Sequence, residues 1–543
     1  MTKFRGNPWA VLVVVSLGFF MTLLDLTIVN IAIPDMIARL HASLDDVLWV
    51  INAYALALAA VLITAGRLGD LIGQRVVFIL GIALFTAASA ACGLAPGPGW
   101  LIAFRAVQGL GAAALMPQTL AILTMVFPPE RRGAAFGVWS AVGGVATIAG
   151  PTLGGLLVTA FDWRYIFFIN LPIGAAVIAL AVIVIPDLHV RRKHRLDLAG
   201  VVLATVGLLG ICYGLVEGQR YHWGTVRSFI SIPLVIGVGA ALFGVFLLVQ
   251  ALRQNREPLI PFALFKNRNY TLMNWVAITV LMGMLGVFLL FTIYFQSVLG
   301  FSALKAGLTL APASVLVLFA APVAGRLSDR IGGKYILITG LVLFGAGMGW
   351  AALIATPNSA WYDFLAAFLV AGAGMGCVFP PMTTVAMRDI EPQAAGAASG
   401  LLNTNRQGGS VIGAATVGAL LQNRLAAALP SQARQRSAGL PPPIRDKLVA
   451  GVTRAANTGA VGPGQSTSFH AQHAIPAQLA SHVAQIYHAS FTYGYVDAMR
   501  LTIALPIAVL GVAALSCLAI KGGPAQPAQA GAGADIKVPT TAA

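Results

Sequence analysis

Apolar stretches of about 18 residues or more recur from one end of this chain to the other, beginning with Trp9 to Ile33. A helix of about 20 apolar residues crosses the ~30 Å hydrocarbon core of a bilayer, and a chain with many such stretches is built for that solvent. The 543 residues are 58% hydrophobic and only 10% charged, where soluble domains carry about 25% charged residues. The stretches lack the strict alternation of membrane strands, and lipid leaves the backbone only helices or closed barrels. An all-α membrane protein is expected. The first stretch follows Lys3 and Arg5, as a secretory signal would. It is too long for one, contains Asp25, and ends at Pro34 without a small-residue cleavage site, so it reads as a retained first span.

Fourteen spans are expected, at 9–33, 47–65, 76–94, 101–124, 134–158, 166–186, 198–216, 229–249, 271–295, 306–324, 335–354, 362–384, 396–421 and 498–519. With the N-terminus inside, the inner connections hold 20 Lys and Arg and the short outer loops hold 5, namely Arg39, Arg164, Arg220, Arg227 and Lys305. Basic residues stay on the cytoplasmic side, so both termini are expected there, in a multi-pass cell-membrane protein. The stretch 422–496 adds six basic residues on the outer side, which the rule tolerates in loops longer than about 60 residues. It is expected to be a long extracytoplasmic loop with an amphipathic helix over 475–495, and 521–543 a disordered cytoplasmic tail. The net charge of +16 does not imply a nucleic-acid partner, because the basic residues are scattered between apolar runs with no basic domain. Cys92, Cys212, Cys377 and Cys517 each lie inside an apolar segment and read as small buried side chains.

The chain repeats itself. "GRLGDLIGQR" (66–75) recurs as "GRLSDRIGGK" (325–334), an offset of 259, and "GLGAAALMPQT" (109–119) aligns with "GAGMGCVFPPM" (372–382), an offset of 263. Two matches at nearly one offset imply a duplication of six spans, 1 to 6 with 9 to 14. The expected domains are an N-terminal six-helix bundle (1–188), a linker with two extra helices (189–268), and a C-terminal bundle (269–421 with 497–520). Two parallel six-helix halves around a midplane site are the architecture of rocking transporters.

Charges at bilayer depth are costly, by about 2.5 to 3.5 kcal/mol on insertion scales, and usually mark function. Away from span ends the chain has one acid, Asp25, and two bases, Arg105 and Arg406. Burial disfavours the charged form of a carboxylic acid and a nearby guanidinium favours it. An acid so placed can load and release a proton as its surroundings alternate between wet and dry. Asp25 is therefore the candidate proton-coupling site, with Arg105 tuning it and Gln108 one turn further on. The alternative is an inert ion pair that locks spans 1 and 4. Asp70 and Asp329, at the membrane edge, sit in turns permitted by Gly66, Gly73, Gly325 and Gly332 and are followed by Arg75 and Lys334; each aspartate can accept from helix N-terminal amides. Gly150 and Pro151 should loosen or kink span 5, and Gly154 and Gly155 permit close packing. Polar candidates for a mostly apolar cavity are Asn30, Asn52, Tyr54, Gln108, Asn170, Asn403 and Arg406.

Several of these residues form longer patterns: Leu24, Asp25, Thr27, Asn30 and Pro34 in span 1; Gly66, Leu68, Asp70, Gly73 and Arg75 after span 2; Arg105, Gln108 and Gly109 in span 4; Gly150, Pro151, Gly154 and Gly155 in span 5; and "DWRYIFFINLPIG" (162–174) entering span 6. Together they resemble the fourteen-helix drug:proton antiporter branch of the major facilitator superfamily. The resemblance implies two six-helix bundles plus two inserted helices, and proton-coupled efflux of lipophilic small molecules by alternating access. It also implies latch residues that stabilise an outward-facing state, and an antiporter role for the span 5 motif. The expected partners are substrate, protons and the bilayer, with a monomeric chain and no cofactor. The rival readings are a dedicated exporter of one metabolite, peptide or lipid, and a membrane sensor using 422–496 as its binding module. An enzyme is not expected, since no nucleophile–base pair or metal-ligand cluster lies near a membrane surface. "GLGAAA" (109–114) mimics a dinucleotide fingerprint without its preceding strand, and His470 and His473 have no acidic or cysteine partner beside them. With no second acid in the C-terminal spans, neutral, monocationic or anionic substrates fit better than dications.

Overall fold

The computed structural model describes residues 6–40, 44–187, 197–218, 221, 223–227, 229–254, 258–391, 394–457 and 477–521. His470, His473 and the tail from 522 onward lie outside the described residues.

Among the described residues, thirteen helices are long and apolar enough to cross a membrane, and Arg132–Ala160, of 29 residues, occupies the place of span 5. In chain order, spans 1 to 8 are Pro8–Ile28, Leu44–Ile72, Gln74–Gly93, Pro98–Val126, Arg132–Ala160, Tyr165–Val184, Leu198–Glu217 and Ile232–Leu252. Spans 9 to 14 are Arg268–Val298, Ala303–Ile331, Gly333–Ile354, Trp361–Met387, Ala395–Arg436 and Val483–Cys517. The fold is all-α, with a short antiparallel strand pair, Thr225–Arg227 with Ile230–Ser231, between spans 7 and 8. Local sequence sets many of the helix starts. Asn7, Asp197, Ser231, Asn267 and Ser302 each accept from an amide two or three residues further on, satisfying donors that a helix N-terminus leaves open.

The two halves meet through equivalent pairs. Span 2 packs on span 13, and span 10, its repeat partner, packs on span 5, the repeat partner of span 13. Span 7 packs on span 8 and on span 2, so the inserted pair stands outside the bundle. Burial follows the same order, with 78% of the apolar window of span 4 buried against 17% of that of span 8. Span 4 is central and span 8 faces lipid.

Span 13 differs from its expected extent of 396–421. It continues to Arg436, 42 residues in all, or about 60 Å at 1.5 Å per residue, twice the hydrocarbon thickness. Hydropathy marks where a helix leaves lipid, and backbone hydrogen bonds carry it further. Leu425, Leu429 and Ala433 stay buried along the projecting part, Gln432 donates to Asp497 at 2.9 Å, and Arg436 lies 3.8 Å from the Tyr493 ring. Helices Pro442–Asn457 and Ala477–Thr502 fill more of 422–496.

Candidate functional site: a buried ion pair and two latches

Asp25 lies in the last turn of span 1, before the chain tightens into a 3-10 turn at Val29–Ala32. Arg105 and Gln108, three residues apart on span 4, share one helix face and both reach it. Arg105 Nη1 donates to Asp25 Oδ2 and to Gln108 Oε1 at 2.8 Å, while Gln108 Nε2 donates to Asp25 Oδ1 at 2.9 Å. Asn170, near the start of span 6, donates to Asp25 Oδ1 at 3.4 Å and to Ser89 Oγ at 3.1 Å. Ser89 donates in turn to the Phe167 carbonyl at 2.9 Å. The guanidinium is held from behind by the Val50 carbonyl, 3.1 Å from Nε, and stacks 4.3 Å from the Tyr54 ring centre. All of these side chains are buried. A buried ion pair recovers its desolvation cost only with good geometry and further hydrogen bonds, and here the carboxylate has three donors.

The polar candidates divide. Asp25, Arg105, Gln108, Tyr54 and Asn170 come together. Asn52 does not; it donates at 3.5 Å to Glu217, a buried acid at the end of span 7. Asn403 donates to the Ser399 carbonyl of its own helix at 3.0 Å. The side chain of Asn30 lies outside the described residues. Sequence reasoning missed Ser89 and Glu217. Ser89 belongs to no motif, and Glu217 sits at a span end, where an acid usually reaches water.

At one end of the bundle Asp70 accepts from the Gly396 and Ala397 amides, both at 2.8 Å, capping span 13 of the opposite half. Asp329 accepts from Gly133 at 2.8 Å and Ala134 at 2.9 Å, capping span 5 in the mirrored arrangement. Each aspartate sits at the positive end of the helix dipole across the divide. Gly66 has the backbones of Gly396 and Gly400 against it, and Gly325 those of Gly133 and Gly137, so the halves touch main chain to main chain. Gly73 and Gly332 hold φ of 103° and 87°, the left-handed region where a side chain is strained. Gln74 adds a donor to Asp70 at 3.1 Å. The basic motif residues stay in their own halves: Arg75 donates to the Val182 carbonyl and Lys334 lies over Tyr335. Arg132, also missed, bridges instead, donating to Thr124 at 2.7 Å in the N-terminal half and to Met387 at 3.1 Å and Arg388 at 3.2 Å in the other. No spacing rule distinguishes it from Arg131, its neighbour.

In span 5 the helix runs unbroken through Gly150 and Pro151. Gly150 meets span 1 at Thr27, whose Cβ would lie 2.7 Å from an added Cβ. Gly154 is buried, Gly155 faces open space, and the Pro151 side chain lies outside the described residues. In the C-terminal half Arg406 is buried and donates from Nη2 to Thr383 Oγ1 at 2.8 Å.

The arrangement offers one carboxylate whose donors come from spans 4 and 6, and a seal at one end of the bundle made by two mirrored caps. The family model described as Major Facilitator Superfamily matches residues 15–414. Tetracenomycin C resistance and export protein of Streptomyces glaucescens is 32% identical over 94% of this chain and 91% of its own. Multidrug resistance protein Stp of Mycobacterium tuberculosis is 34% identical over 86% of each. The crystal structure of the human organic anion transporter MFSD10 covers 93% of this chain and 99% of its own with a TM-score of 0.56, at 14% identity a likeness of fold alone. Repeated halves, mirrored latches and matches along most of the length lead to one conclusion: this chain belongs to the Major Facilitator Superfamily.

Proposed function

We propose that the protein is a proton-coupled exporter of lipophilic small molecules, working as a monomer by alternating access in the cytoplasmic membrane with both termini inside. The single observation that carries this reading is the buried Asp25 with donors from Arg105, Gln108 and Asn170, in a molecule whose halves are latched together at one end. Asp25 takes a proton from the outer side, its pairing with Arg105 weakens, and the halves rock. Asp70 and Asp329 let go of the opposing helices, and the proton leaves inward while substrate enters the cavity between the halves. Gly150 supports the cycle by letting spans 1 and 5 stay in close contact beside Asp25. One proton moving down about 100 mV supplies roughly 2.3 kcal/mol, which sustains a gradient on the order of fiftyfold at about 1.4 kcal/mol per decade.

The names of the relatives above, multidrug resistance and antibiotic export, support the substrate class. The Streptomyces relative, named for one compound, favours a narrower second reading in which one endogenous metabolite is the cargo. Proteoliposomes with an imposed pH gradient test both. Uphill movement of several unrelated dyes supports broad export, transport of none of them points to the dedicated exporter, and transport indifferent to the pH gradient removes the proton-coupled reading.

A further inference from the structure

Span 13 makes the inner wall between the halves. Its Gly396 and Gly400 lie against Gly66 of span 2, and Ser399 donates to the Pro117 carbonyl of span 4 at 2.8 Å. Arg406 is seven residues, two helical turns, beyond Ser399 and on the same face. That places it about 10 Å further from the cytoplasmic seal at 1.5 Å per residue, on the stripe that faces the other half. The guanidinium reaches Thr383 of span 12 and lies 5.7 Å from the Phe379 ring centre.

Only 8% of Arg406 is exposed, its Nε has no hydrogen-bond partner, and no carboxylate pairs with it among the described residues. The other buried guanidiniums are fully engaged, Arg105 by Asp25, Gln108 and the Val50 carbonyl and Arg132 by the carbonyls of Phe127, Met387, Arg388 and Thr124. An isolated buried charge is expensive, and one partner removed from a buried pair leaves several kcal/mol uncompensated. The offset of 263 that aligns Gly133 with Gly396 places Gly143 opposite Arg406, so the duplication did not require a charge here.

We propose that Arg406, oriented by Thr383, is the anion subsite of the transport cavity, and that its ligand is the carboxylate of a lipophilic monoanion. A guanidinium fork presents two parallel donors at the spacing of a carboxylate, and the unpartnered Nε is one of them. The Phe379 ring beside it takes the apolar body of the ligand. This subsite rests on the exporter reading for its place in transport, while its charge preference is a property of the cavity alone.

The test compares two fluorescent ligands with the same pyrene body, 1-pyrenebutyrate, ionised at neutral pH, and its uncharged methyl ester, each corrected for its binding to empty nanodiscs. Both are titrated onto the full-length protein in phosphatidylcholine nanodiscs. The wild type is expected to bind the acid at least tenfold more tightly than the ester. In Arg406→Gln the acid-to-ester preference falls to near one, and in Arg406→Lys, which keeps a charge without the fork, it stays between the two. Equal binding of acid and ester by the wild type overturns the proposal, and needs no variant to fold; so does a preference that survives Arg406→Gln. Dye efflux by the wild-type protein under a pH gradient is scored separately, so failure of the exporter reading is distinguished from failure of the subsite.

Discussion

Arg105 answers the charge of Asp25 and donates to Gln108 and the Val50 carbonyl, so the loss of either partner leaves the other charge buried and unpaired. Arg105→Ala leaves a buried carboxylate without its counter-ion and should cost about 3–5 kcal/mol, seen as a lower unfolding midpoint in detergent. Adding Asp25→Asn to that variant should recover most of the loss, because a neutral amide needs no counter-ion; a double variant no more stable than the single one argues against the ion pair as the cause. Asp25→Asn alone leaves the buried Arg105 charge unanswered and should also lower the unfolding midpoint, yet below that midpoint it should bind dye and exchange it down a gradient, with pH-driven uphill efflux reduced at least tenfold. Of this cluster, Asp25, Arg105 and Gln108 were legible together in the sequence because polar residues in apolar runs stand out, and Asn170 was legible only as a polar residue of the cavity. Ser89 and the Phe167 carbonyl were not, since a serine in a helix ordinarily bonds to its own turn.

At the scale of elements, contacts between helices depend on what is missing from them. Gly66 and Gly325 permit spans 2 and 10 to lie against spans 13 and 5, and an added Cβ at Gly66 would come within 2.9 Å of the Gly400 Cα. Backbone cannot yield as a side-chain end can. Gly66→Ala should therefore push the halves apart at the latched end. Thiol reagents applied from that side should label a cysteine placed in the cavity several times faster, with little change in unfolding midpoint. Gly73→Ala acts differently: its φ of 103° costs a side chain about 1–2 kcal/mol, which should appear as lost stability without a change in labelling. Helix existence was readable from hydropathy, but the end of span 13 at Arg436 was not, because the residues that hold its outer part, Asp497 and Tyr493, come from a distant segment.

For the whole molecule, the two latches act in the same direction. Asp70 and Asp329 each cap a helix of the opposite half, and a charge at a helix N-terminus contributes about 0.3–2 kcal/mol. Asp70→Asn and Asp329→Asn should each shift the molecule toward the form open at the latched end by up to about thirtyfold, at 1.4 kcal/mol per decade. The double variant should shift it further, as read by cytoplasmic cysteine labelling; if either variant alone opens the molecule fully, the latches are not parallel. The sequence by itself determined that this chain lives in a bilayer, that its helices number about fourteen, that six of them are duplicated, and which of its charges sit at depth. Those follow from the hydrophobic effect and from spacing, which are properties of a chain read in order. Only the tertiary structure decided that Asn170 and Ser89 reach the Asp25 cluster, that Arg132 rather than Arg75 crosses between halves, and that Asn52 turns to Glu217. It also decided that Arg406 is buried with no counter-ion among the described residues, because partners far apart in the chain are chosen by packing, on which the order of residues is silent.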